Sequence, residues 1–224
     1  MSANLIHLLW ESTLQTLYMV ALSFLLGTLI GGPLGVFLAT SRRGELLSAP
    51  AVNLTLGLIV NAARSTPFII LVVAIIPFTR MIVGTSIGTN AAIVPLTVAA
   101  APFIARLVEA SIREVDAGLI EAARAMGATP GQILRKVLVP EAMPGIVLGL
   151  TLAVVSLIGY SAMVGAVGGK GLGDLGIRYG YQRFMPDVML VVVVILIIMV
   201  QLVQSLGEWI AESFDKRAPR NRGH

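Results

Sequence analysis

Cysteine is absent from the 224 residues, so the chain has no disulfide framework, thiolate metal site or cysteine nucleophile. Histidine occurs only as His7 and His224, at opposite ends, which provides no clustered ligands. Charge is also scarce. Only 12% of residues are charged, whereas a soluble domain uses about 25% to cover its water-facing surface. Because 56% are hydrophobic, the chain is not an ordinary soluble domain. No Asp, Glu, Lys or Arg occurs in 12–41, 81–105, 142–169 or 188–207. Each stretch reaches the roughly 20 residues that a helix rising about 1.5 Å per residue needs to cross about 30 Å of hydrocarbon. These stretches predict membrane spans. Met1 to Trp10 contain neither Lys nor Arg, and the first apolar run is longer than a signal-peptide core, so it is expected to be a retained span.

The net charge of +4 does not point to nucleic acid, because Lys and Arg sit in short segments between apolar runs, where they orient helices. Region 46–79 is ambiguous, with two charge-free runs flanking Arg64. Pro50, Asn53 and Asn61 weaken the first run, and the second, 65–79, is short for a crossing. Five spans with the N-terminus outside put 12 Lys and Arg inside (Arg42, Arg43, Arg64, Arg106, Arg113, Arg124, Arg135, Lys136, Lys216, Arg217, Arg220 and Arg222) against 4 outside (Arg80, Lys170, Arg178 and Arg183). Six spans with the N-terminus inside move Arg42 and Arg43 outside and reduce the ratio to 10 against 6. The expectation is therefore one all-α transmembrane domain, 1–224, with five helices near 15–39, 59–79, 89–107, 143–164 and 188–207. Residues 44–58 would approach along the interface, and the C-terminus would be cytoplasmic. Arg64, Arg80 and Arg106 would snorkel from span ends. Pro33, Pro77, Pro95 and Pro102 predict helices packed in a bundle, where neighbours satisfy freed carbonyls. Gly27, Gly31 and Gly35 recur at four-residue spacing and define one helix face, either internal packing or a dimer seam.

Between Glu109 and Glu141 the chain concentrates nine charges. Asp116 is a candidate N-cap for a helix ending before Gly127, which supplies a left-handed residue. Thr129 caps a second helix with Pro130 at its first position. That helix would run to about Leu138, and Pro140 and Pro144 would mark the return to the membrane. The prediction is a helix, a tight turn and a helix in the loop 109–141. Without further detail, a basic amphipathic segment of this kind lies on lipid headgroups.

The order Glu121, Ala122, Ala123, Gly127 and Pro140, within EAARAMGATPGQILRKVLVP, resembles the EAA signature of ABC importer permeases. In those proteins the element is a coupling helix for the ATPase. Two alanines permit close approach, the glycine permits the turn, and Glu121 and Arg124 would make charge-assisted contacts at the rim. Segments 82–130 and 159–181 further resemble the permease of bacterial methionine ABC importers, and the similarity runs from about Leu14 to Gln204. The resemblance implies a type I importer permease fold in the bacterial inner membrane and a homodimeric permease. It also implies two copies of a separate cytoplasmic ATPase and an external methionine-binding lipoprotein. This chain would have no catalysis and no cofactor of its own. Composition and periodicity do not specify methionine.

Ser156, Tyr160, Ser161 and Met163 form a polar and small cluster in the fourth span. Helix packing and a pore-lining role are both open for it, with Met163 as flexible gate material. Resemblance places this span on the dimer axis. The glycine-rich segment 164–171 has Val164 where a phosphate-binding loop needs Gly and Gly171 where it needs Ser or Thr. It predicts a compact external turn, with contact to a docked binding protein as the rival. A permease for another amino acid or a phosphonate is the alternative within the class. An ion-coupled transporter is disfavoured because the expected span midplanes contain no ionisable residue. A membrane enzyme is disfavoured further, because the expected spans offer no carboxylate pair, histidine or cysteine.

Overall fold

The computed structural model describes residues 3–42 and 46–214. Arg43, Lys216, Arg217, Arg220, Arg222 and His224, and with them the expected cytoplasmic tail, lie outside the described residues. Among the described residues ten α-helices follow in order: α1 Ala3–Thr40, α2 Pro50–Ser65, α3 Phe68–Ala74, α4 Ile76–Val83, α5 Thr89–Arg113, α6 Ala117–Ala125, α7 Pro130–Ile133, α8 Val139–Ala166, α9 Leu172–Leu175 and α10 Pro186–Phe214. No strand occurs among the described residues. Four helical stretches, Asn4–Thr40, Thr89–Arg113, Pro130–Ala166 and Pro186–Phe214, are long and apolar enough to cross a membrane, and counting the bent pair α2 plus α3 as one span gives five.

That fifth span is not the single helix expected over 59–79. Pro67 disfavours helical geometry at the residue before it, and Thr66 is extended at φ −78°, ψ 124°. The chain therefore turns by 102° between α2 and α3. Pro77 cannot donate to the preceding turn, and a second break falls at Ile75 before α4. Conversely, Pro140 and Pro144 do not interrupt the chain as expected. Leu134–Leu138 form a π-helical turn in which the Val139 N–H donates to the Leu134 carbonyl five residues back. The wider turn carries α7 into α8 as one continuous helix, Pro130–Ala166.

The core is built around α5, whose largest partner is α1, followed by α8 and α2, while α10 packs on α8. Gly27, Gly31 and Gly35 form the α1 side of this seam. A Cβ on Gly27 would lie 2.7 Å from the Ala100 Cβ, and one on Gly35 would lie 2.4 Å from the Ala105 carbonyl oxygen. The glycine stripe is thus an internal packing face. Segment 164–171 is also tightly held. The Gly171 N–H donates to Gln15 Oε1 at 3.1 Å, the Leu172 N–H to Thr16 Oγ1 at 2.9 Å, and the Gly88 N–H to the Gly168 carbonyl at 2.9 Å. The compact turn therefore ties α1, α5 and α8 together at one end of the bundle.

Candidate functional site

The opposite end of the bundle, beyond Arg113, carries the helix-turn-helix element. Asp116 Oδ1 accepts the Gly118 N–H at 2.6 Å and starts α6. Gly127 has φ +78°, and its N–H donates to the Arg124 carbonyl at 2.9 Å. Thr129 and Gln132 then form a reciprocal capping box: the Thr129 N–H donates to Gln132 Oε1 at 2.9 Å, and the Gln132 N–H donates to Thr129 Oγ1 at 3.4 Å. The caps make this a defined element projecting from the bundle. Ala123 turns inward and joins the core with Ile133 and Leu138. Glu121, Ala122 and Arg124 face outward, while Pro140 lies at the start of α8, just past the π turn. At the tip, Met126 is 81% exposed and Leu119 is also exposed, which gives the element an apolar outer surface.

The four residues singled out on α8 do not share one surface. Met163 is exposed and Ser156 half-buried, and with the exposed Leu148, Leu152 and Gly159 they lie along one face of the helix. Tyr160 turns toward α3 and stacks on Phe68, with ring centroids 4.4 Å apart. These two rings border a cavity of about 160 Å³, together with Arg64, Thr66 and Phe103. Ser161 is buried and donates to the Ile158 carbonyl at 2.7 Å, while Ser156 donates to the Leu152 carbonyl at 2.9 Å. Both serines satisfy their hydroxyls within their own helix.

Sequence reasoning passed over Glu109. It is only 4% exposed near the end of α5 and receives three arginines. Arg106 contacts its Oε2 at 2.5 Å, while Arg113 and Arg42 contact Oε1 at 2.9 and 3.5 Å. Arg106 also donates to the Gly57 carbonyl at 2.8 Å, and Arg113 to the Leu38 carbonyl at 3.4 Å. One carboxylate thereby joins α1, α2 and α5 next to the helix-turn-helix element. Arg106 is consequently part of an ion-paired junction, not a snorkelling side chain as expected. The available signal was the spacing of Arg106, Glu109 and Arg113 at i, i+3 and i+7.

A family model described as binding-protein-dependent transport system inner membrane component matches residues 31–219. The chain is 54% identical over 210 residues to the probable D-methionine transport system permease protein MetI of Vibrio cholerae, covering 94% of this chain and 93% of that one. It is 55% identical over 165 residues to the D-methionine transport system permease protein MetI of Escherichia coli, covering 74% and 76% of the two chains. A solved structure described as inward-facing conformations of the MetNI methionine ABC transporter superposes with a TM-score of 0.93 at 52% identity, covering 96% of this chain and 100% of that one. A crystal structure of an amino acid ABC transporter with histidines shares the fold alone, with a TM-score of 0.77 at 21% identity and coverage of 93% and 94%. The helical bundle, the projecting element and the matched length agree: the chain belongs to the family of binding-protein-dependent transport system inner membrane components and is a multi-pass inner-membrane permease.

Proposed function

We propose that this chain is the permease subunit of an ATP-driven methionine importer, forming half of a homodimeric pathway and receiving motion from a separate ATPase through α6 and its flanking turn. The observation that carries the substrate is the 54% identity, over 94% of the chain, to a relative named as a D-methionine permease. For the mechanism, the support is physical. The capped element presents Glu121, Ala122 and Arg124 on its outer side and Met126 at its tip, a combination of charge and exposed apolar surface that fits a protein partner. The π turn and continuous helix into α8 provide a stiff lever from that element to the face bearing Ser156 and Met163.

In this reading, two copies related by a two-fold axis place the α8 faces that bear Met163 toward one another, so that each ATPase subunit receives one element. ATP-driven closure of the ATPases brings the two elements together and opens the membrane halves outward, and hydrolysis resets them inward. Met163 closes the route as a flexible apolar gate, and Tyr160, braced by Phe68, forms its wall. An external binding lipoprotein delivers substrate and selects it. The helix-turn-helix element faces the cytoplasm, and the glycine-rich turn faces outward.

Reconstitution into proteoliposomes with the ATPase and binding protein of a methionine importer tests the reading. ATP-dependent uptake of methionine, competed by methionine but not by a panel of other amino acids, is the expected result. Uptake driven by an ion gradient without ATP, or preferential uptake of another solute, would refute it.

A further inference from the structure

At the end of the bundle that carries α6, a second cavity of about 440 Å³ opens among Arg42, Arg64, Arg106, Arg113 and Glu109. The charges do not balance. Both Glu109 oxygens are already engaged, Oε2 by Arg106 and Oε1 by Arg113 and Arg42. Arg64 pairs with no carboxylate among the described residues, and its guanidinium lies 6.0 Å from the centre of the Phe103 ring. The buried Arg106 Nε has no hydrogen-bond partner. Among the described residues the lining carries four guanidinium groups and the one carboxylate of Glu109, so it is net positive. Unsatisfied charge partly withdrawn from water is costly, so the cavity favours an anion.

The cavity also has an apolar side. Phe103 and Leu107 line it alongside the arginines. Guanidinium forks match the paired oxygens of a phosphate, and basic pockets between membrane helices hold phosphate-bearing headgroups. We propose that this cavity binds the phosphodiester of an anionic lipid, with the phosphate oxygens on Arg42 and Arg64 and the glycerol and upper acyl chain against Phe103 and Leu107. The apolar wall favours a lipid over free phosphate, which has nothing to place there. Because the cavity joins α1, α2 and α5, an occupied site fastens these helices beside the helix-turn-helix element. The inference is independent of the transported substrate.

The test uses the permease purified with its ATPase, placed in nanodiscs of phosphatidylcholine alone or of phosphatidylcholine and phosphatidylglycerol in equal amounts. Native mass spectrometry of the released complex counts the lipid retained. Phosphatidylglycerol should be retained over phosphatidylcholine. The double variant Arg42→Gln with Arg64→Gln should hold it roughly tenfold less well, the scale of one lost charge-assisted pair. Arg80→Gln with Arg183→Gln, at the other end of the bundle, should retain it unchanged. Arg64→Lys, which keeps the charge without the fork, should lose part of the preference and serves as the test if the double variant does not assemble. Equal retention of both lipids, or retention unaffected by the Arg42 and Arg64 variants, would overturn the proposal. Displacement by inorganic phosphate would also overturn it in favour of a soluble anion site, as would displacement by methionine in favour of a substrate vestibule.

Discussion

Gly31 lies against Ala101 so closely that a Cβ on it would stand 2.3 Å from the Ala101 carbonyl oxygen. The obstacle is backbone, so no side-chain rotation relieves it. Gly31→Ala should therefore separate α1 from α5 and destabilise the protein by about 2 kcal/mol, within the usual range for overpacking. Gly32 is the internal control, because a Cβ there meets nothing within 4 Å. Thermal unfolding in detergent should show a lowered midpoint for Gly31→Ala and little change for Gly32→Ala. Equal midpoints would mean that the α1 and α5 backbones are not in this contact.

The turn after α6 depends on backbone conformation, not on space. Gly127 has φ +78° and an unobstructed Cβ position. A β-branched residue is strongly disfavoured there, whereas asparagine tolerates left-handed geometry. Gly127→Val should sharply reduce uptake and co-purification of the ATPase while insertion persists, and Gly127→Asn should retain much of both. Normal uptake by a well-expressed Gly127→Val protein would remove Gly127 from this role.

Glu109→Gln would leave Arg42, Arg106 and Arg113 around a neutral side chain. Because Arg42 and Arg113 remain partly exposed, at 53% and 30%, water offsets part of the loss. A destabilisation of about 2 kcal/mol follows, below the usual cost of breaking a fully buried pair. The measurement is again the unfolding midpoint in detergent, and an unchanged midpoint would show that the cluster is not a structural junction.

Orientation is open to a chemical test because the chain lacks cysteine. Thr85 lies before α5, near the glycine-rich turn, and Gly131 lies in α7. Thr85→Cys should react with an impermeant thiol reagent in intact cells, and Gly131→Cys only after permeabilisation. The reverse pattern would invert the proposed topology.

Much of this architecture was written locally in the sequence. Asp116, Gly127 and the Thr129 and Pro130 pair act within a few residues of where they stand, so their punctuation predicted α6, the turn and the start of α7. Charge-free length likewise revealed the long helices. The failures were of two physical kinds. Hydropathy carries no signal for direction, so the bend after Thr66 was hidden inside an apolar region, and Pro140 signalled an end that a π turn instead absorbed. The Glu109 junction joins Arg42 to a residue far along the chain, a pairing made only by packing α1 against α5. On α8, identity alone did not separate the exposed Met163 and half-buried Ser156 from the buried Ser161, because a one-residue step turns a side chain by about 100° around the helix.

The proposed entry point of ATP-driven motion into this chain is the element from Asp116 to Thr129. A photo-cross-linking amino acid at position 126, where Met126 is 81% exposed, tests this directly in the assembled transporter. Irradiation should join the permease to the ATPase, with a yield that changes when ATP is bound, while the same probe at Thr85 should give no such product. Cross-linking at position 126 to lipid alone, or capture of the ATPase from position 85, would contradict the account.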